Sequence, residues 1–168
     1  MTLEVNPSDE LSRDPRAARR AANALKTDLR DLRVQLAMLN HRVGAQAELR
    51  DIDLDCLDLV SQHEPVGASA LAKLAGLHPA TLTGVIDRLE RGGWIVRERD
   101  ENDRRAVVLR TQPERNRDIY QLYSGMNGLI DEICADYTPE QLELIAGFLR
   151  RTTVAGVHAT ARLEEEGA

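Results

Sequence analysis

Two clusters of side chains in this chain have the types and spacing to handle phosphate and base edges. The first is a run of arginines, Arg97, Arg99, Arg104, Arg105 and Arg110, gathered around a wholly polar stretch with Asp100 and Asp103. Guanidinium groups grouped this way bind phosphate even on an acidic protein, because screening limits repulsion beyond about 8–10 Å. A narrow duplex minor groove, with its enhanced negative potential, also attracts an inserted arginine. Arg104 or Arg105 would serve, and the spacing does not choose between them. Asp100 and Asp103 are expected to shape the loop by pairing with the neighbouring arginines.

The second cluster lies on a predicted helix, Pro79 to Arg91. Its apolar stripe, Leu82, Val85, Ile86 and Leu89, leaves Ala80, Thr81, Thr83, Gly84, Asp87, Arg88 and Arg91 outward. Helices that enter a major groove read bases with N-terminal residues, and small side chains let the backbone approach. Thr81 and Thr83 offer hydroxyls to bases or phosphates and methyls to thymine. Gly84 costs a helix about 1 kcal/mol relative to alanine, which close approach to DNA would justify. Arg88 reads as a phosphate clamp, with an ion pair near Glu90 on its own helix as the alternative. His78, before Pro79, either caps the helix or touches phosphate.

Other chemistries find little support. Cys56 and Cys134 lack ligand spacing, and their apolar and acidic neighbours disfavour a reactive thiolate, so both read as core cysteines. His41, His63, His78 and His158 show no paired ligand spacing, so neither metal nor cofactor is expected. Enzyme signatures such as a phosphate-binding glycine loop or Gly-x-Ser-x-Gly are absent. Aromatic residues are 3% of the chain, too few for a base-stacking surface. The net charge of −6 hides its distribution: Asp51–Pro65 carries five acidic and no basic residues, while Arg13–Arg50 carries nine basic and four acidic. No stretch has the roughly 18–20 apolar residues of a membrane span, and the first residues do not resemble a secretory signal. A cytoplasmic location is expected.

The elements that must position these clusters follow from periodicity. Residues 1–14 are polar and aperiodic, a tail. Ala18, Ala22, Leu25, Leu29, Leu32, Leu36, Leu39 and Val43 alternate steps of four and three, the seam of a helix packed on another helix. One long helix from Pro15 to about Glu48 would be ~50 Å long, too long to bury its seam in a monomer of this size, so a second copy of the chain is implied. Asp53 is placed to cap a short helix from Leu54 to Gln62. A helix Ala68–Ala75, a turn at Gly76 and the helix opening at His78-Pro79 have helix-turn-helix spacing. Trp94–Arg99 and Ala106–Arg110 read as a two-stranded hairpin that leans on the helices. Helix returns with Ile119, Leu122, Met126, Leu129, Ile130, Ile133 and Tyr137, and Thr138-Pro139-Glu140-Gln141 starts a last helix that frays at Glu164-Glu165-Glu166.

Taken together, Leu71-Ala72-Lys73-Leu74-Ala75-Gly76-Leu77, Thr83–Gly93 with its Arg-Leu-Glu-Arg-Gly-Gly end, and Asp100-x-x-Asp103-Arg104-Arg105 resemble the MarR (multiple antibiotic resistance regulator) family of transcription factors. The detailed match covers about Asp53 to Thr111. Glu101 stands where the family often has proline, and Thr111-Gln112-Pro113-Glu114 replaces its usual Thr-x-x-Gly. The resemblance implies a mainly α fold with a small β-hairpin: a winged helix-turn-helix lobe over 51–112, and a helical dimerisation lobe from 15–50 and 113–168. It implies a homodimeric regulator, expected to be a repressor, on a pseudo-palindromic double-stranded DNA site. His78, Pro79, Thr81, Thr83, Gly84, Arg88, Arg104 and Arg105 are then the DNA contacts. It further implies a small aromatic or phenolic ligand between the lobes, for which Met38, His41, Arg42 and Trp94 are candidates. The competing reading is a helical interaction module whose winged domain binds protein instead of DNA.

Overall fold

Proline and a capping group start three helices at the positions that the sequence predicts. In the computed structural model, which describes residues 14–100, 103 and 105–166, α1 spans Pro15–Gln46, with Asp14 Oδ1 accepting from Arg16 N at 2.8 Å. The expected tail lies almost wholly outside the described residues. α2 spans Asp51–His63, β1 Val66–Gly67, α3 Ala68–Ala75 and α4 Pro79–Arg91. β2 (Ile95–Arg99) and β3 (Val107–Thr111) follow, then α5 (Pro113–Leu122), α6 (Ser124–Cys134) and α7 (Pro139–Glu166). At the start of α7, Gln141 N donates to Thr138 Oγ1 at 3.3 Å and Thr138 N to Gln141 Oε1 at 2.8 Å, a reciprocal capping box. Gly76 ends α3 in the left-handed region, φ 61°, a conformation that costs other residues about 1 kcal/mol or more.

The sheet has three strands in the order β1-β3-β2, all antiparallel. Arg97 faces Leu109 in the hairpin, and Val66 pairs with Leu109 from the other side. The two-stranded expectation therefore gains one short strand. Glu64 helps to hold it: its Oε2 accepts from Thr111 N at 2.6 Å and from Thr111 Oγ1 at 2.9 Å.

Leu54, Leu57 and Val60 of α2, Leu71 of α3, Leu82, Val85 and Leu89 of α4, Ile95 and Leu109 form the core. Each contributes roughly 1.5–3 kcal/mol by leaving water. Asp53 corrects the expected cap. α2 begins three residues earlier, at Asp51, with Arg50 at the N-cap making no side-chain cap bond, and Asp53 lies inside the fold, 2% exposed.

Close contacts divide the chain into one unit ending at Ile119 and another beginning at Tyr120. In the first, the α1 seam stays open, with Leu25, Leu32 and Leu36 exposed and only its end, Val43, buried. In the second, α6 buries no residue, and Leu144, Val157 and Leu163 of α7 are exposed. The helical stretch expected from Ile119 to Tyr137 is divided at Tyr123, where Ser124 Oγ donates to Gln121 O at 2.7 Å. Serine competes for backbone carbonyls, and Gly125 behind it disfavours helix.

Candidate nucleic-acid interface

α4 turns its stripe of Leu82, Val85, Ile86 and Leu89 into the core and leaves Pro79, Ala80, Thr81 and Thr83 exposed. Thr83 Oγ1 donates to Pro79 O at 2.9 Å, so its proton is used within the helix and the exposed side chain has acceptor lone pairs and a methyl left to offer. His78 takes the first of its two readings: Nδ1 accepts from Ala80 N at 3.3 Å, leaving Nε2 uncommitted to the cap. Gly84 is half-buried. A Cβ placed there would meet Arg88 Nη1 at 3.5 Å, an ordinary contact, so nothing within the chain requires glycine.

Arg88 does not pair near Glu90 on its own helix but reaches across the fold. Its Nε donates to Asp53 Oδ2 at 2.9 Å and its Nη2 to Oδ1 at 2.5 Å, joining α4 to α2 across 35 residues of sequence. A carboxylate as enclosed as Asp53 needs a bonded partner, because an unpaired buried charge is strongly destabilising. Two of the guanidinium's donors are thereby removed from phosphate.

The strand arginines are divided between structure and solvent. Arg97 Nη2 bonds Asp87 Oδ1 at 2.5 Å and its Nη1 lies 3.1 Å from Glu90 Oε2, tying β2 to α4. Arg110 Nε reaches Glu98 Oε2 at 3.2 Å across the hairpin. Arg99 and Arg105 are exposed and form no ion pair among the described residues; Arg104 lies outside them. At the tip, Asp100 Oδ1 accepts from Asp103 N and Asp103 Oδ1 from Arg105 N, each at 3.0 Å. Ala106 N donates to Asp103 O at 2.8 Å and Asp100 N to Ala106 O at 3.0 Å. These carboxylate bonds go to backbone N–H groups of the tip; the pairing expected with the neighbouring arginine side chains involves Arg104, which lies outside the described residues.

Of the ligand candidates, Met38, His41 and Arg42 come together. With Arg33, Val34, Ala37 and Ala45 they line an open groove of about 640 Å³ along α1. His41 Nδ1 lies 3.1 Å from both carboxylate oxygens of Asp51. Trp94 does not join them. Its indole is 4% exposed in the core, with the Arg115 guanidinium stacked 4.2 Å from the ring centroid.

Cys56 is wholly buried, and burial first, then the Asp55 and Asp53 carboxylates, push its thiol up to about 11. Desolvation first, then repulsion from Asp51 on Asp55 and from Asp55 on Asp58, raises these two carboxyls from their ordinary value. Cys134 is partly exposed. Among the described residues no cluster of His, Cys, Asp and Glu could hold a metal ion, and no helix is long and apolar enough to cross a membrane.

Sequence reasoning left three residues out of the site: Asp53, Arg97 as the tie to α4, and Arg115. Only Arg97 had a local signal, since Asp87 and Glu90 lie three apart on one helical face.

A MarR family sequence model matches residues 53–107. The Bacillus subtilis protein YcgE, described as an uncharacterized HTH-type transcriptional regulator, is 36% identical over 113 residues, 67% of this chain and 73% of that one. Among solved structures, a MarR family protein from Bacillus stearothermophilus superposes with TM-score 0.62 at 19% identity, over 82% of this chain and 96% of the other. NadR in complex with 4-hydroxyphenylacetate gives 0.58 at 23% identity, over 76% and 91%. The two superpositions speak to the fold; the matched residues and the YcgE relation carry the identity. The chain belongs to the MarR family of DNA-binding transcriptional regulators.

Proposed function

We propose that this protein is a homodimeric repressor that reads a pseudo-palindromic DNA site and releases it when a small aromatic or phenolic molecule binds. The observation that carries this reading is the Arg97 tie. It makes β2 and α4 one body, with Thr81, Thr83 and Gly84 on the open side of the helix and Arg105 at the hairpin tip. α4 then enters the major groove with Pro79, Thr81, Thr83 and Gly84 toward the bases and His78 near a phosphate. Arg104 or Arg105 enters the adjacent minor groove, and Asp100 and Asp103 shape the tip.

Residues 51–112 act as the reading lobe. The open seam of α1 and the exposed stripes of α6 and α7 support dimerisation through 15–50 and 113–168. Two-fold symmetry sets the recognition helices about 34 Å apart, or a multiple of it. The α1 groove, with Met38 beside His41 and Arg42, suits a ring carrying an acidic oxygen. Such a ligand acts only if it favours the spacing of reading heads that misses the groove. This is a cytoplasmic, non-enzymatic regulator.

The test is selection by the full chain from a random duplex pool. The expected outcome is enrichment of an inverted repeat bound by a dimer and released by millimolar 4-hydroxyphenylacetate as a probe. No enriched duplex would move the protein-binding reading ahead. Enrichment with no release by the probe would remove only the phenolic ligand.

A further inference from the structure

The stripe that holds α4 in place consists of interchangeable hydrophobes. Such cores tolerate rotation and repacking at little cost, losing uniqueness before stability. The bidentate bond from Arg88 to Asp53 is different, because a guanidinium fork meets a carboxylate in one plane and one direction. Asp53 is 2% exposed and belongs to α2, while Arg88 lies one turn along α4 from Gly84, with its Nη1 beside that glycine. One end of this link is therefore fixed in the core, and the other sits under the open face of the helix.

We propose that Asp53 is a positioning residue for DNA reading: through Arg88 it fixes the rotation of α4 against α2, so that Thr81 and Thr83 meet base edges in register. The proposal rests on the reading of α4 as the DNA-reading helix. A buried ion pair often adds little net stability over apolar residues of similar volume, which leaves specificity as its contribution here.

The experiment uses the full chain, the duplex it selects from a random pool, and a scrambled duplex of equal composition. Three variants are titrated beside the unmodified protein: Asp53→Asn, Asp53→Leu with Arg88→Met, and Thr83→Ala. The double variant is expected to melt within a few degrees of the unmodified protein, or above it. In it and in Asp53→Asn, the ratio of selected to scrambled affinity should fall at least tenfold, with scrambled binding of Asp53→Asn changed less than about threefold. A purely structural pair would lower the melting temperature and keep the ratio, which overturns the proposal. A phosphate clamp would weaken both duplexes equally and flatten the salt slope by about one in the double variant, which also overturns it. If the double variant does not fold, the near-isosteric Asp53→Asn decides by the same ratio. If Thr83→Ala lowers the ratio and the Asp53 variants do not, α4 reads DNA and only the positioning role fails. If neither lowers it, the reading of α4 itself fails, and the proposal with it.

Discussion

Arg115, in the first turns of α5, stacks on Trp94 and donates from Nη2 to Gly92 O at 3.2 Å. One guanidinium thus holds the chain just after α4 and the indole that leads into β2. Gly92 has an ordinary φ of −75°, so its backbone does not call for glycine. Space does. A Cβ at Gly92 would lie 2.6 Å from Trp94 Cδ1 and 2.8 Å from Nε1, inside any real contact distance. Gly92→Ala should therefore destabilise by about 1–3 kcal/mol, the range for overpacking a filled site. Thermal melts should show a drop of several degrees, and an unchanged melting temperature would mean that the indole has room to move.

Gly84 is the opposite case. A methyl there makes only a 3.5 Å contact with Arg88 Nη1, so Gly84→Ala should raise stability by up to about 1 kcal/mol through helix propensity. The same methyl stands on the face proposed to approach DNA, so duplex affinity should fall while the melting temperature rises. Parallel melts and titrations check the two signs. Affinity that holds while stability rises would take Gly84 off the interface.

What the sequence made legible was local. Pro79 and Thr138 with Gln141 start helices by rules that span one turn, and the apolar stripe of α4 repeats within thirteen residues. What it hid was tertiary. Val66–Gly67 is too short to show alternation, and only its partner β3 makes it a strand. Asp53 has every local mark of a helix cap, and only the fold brings Arg88 to it. Trp94 looked available as a lone aromatic until the core and Arg115 enclosed it.

Cys56 should be chemically silent. Iodoacetamide at pH 8 is expected to label Cys134 in the native protein and both cysteines after denaturation, read by mass spectrometry. The thiol is held above its ordinary value of 9.0, at about 11. The native state therefore keeps a proton that the unfolded chain gives up, and this contribution, full below pH 9, is lost as pH rises towards 11. In denaturant titrations, Cys56→Ala should lose less stability than the unmodified protein between pH 8 and 10.5. Native labelling of Cys56 at pH 8, or equal losses in the two proteins, would contradict the buried thiol.

Leu32 and Leu36 remain exposed along the α1 seam, at 43% and 38%. Burying a leucine is worth roughly 1.5–3 kcal/mol, so a face this apolar calls for cover from a second chain. Leu32→Lys with Leu36→Lys should shift the protein from dimer to monomer or unfolded chain in analytical ultracentrifugation. A folded monomer that still binds the selected duplex tightly would refute the dimer.

The wing and the helix should fail in different ways, because charge and base contact have different signatures. Arg105 is exposed at the tip, and its backbone N–H, not its guanidinium, is what Asp103 Oδ1 holds. Replacing Arg104 and Arg105 with alanine therefore leaves the loop bonds of Asp100 and Asp103 available while removing two charges. Binding to every duplex should weaken, and the slope of log affinity against log salt should flatten by about one per lost phosphate-type contact. Thr83 is neutral, so its loss cannot change that slope. Its remaining acceptor lone pairs and methyl can still discriminate, and a good base-edge contact is worth about 1–3 kcal/mol between right and wrong bases. Thr83→Ala should lower affinity for the selected duplex and leave scrambled DNA nearly unchanged, with the slope intact. Titrating both variants against both duplexes at two salt concentrations separates the effects. If the arginine pair alters neither affinity nor slope, the hairpin does not touch DNA, and binding must rest on α4 alone.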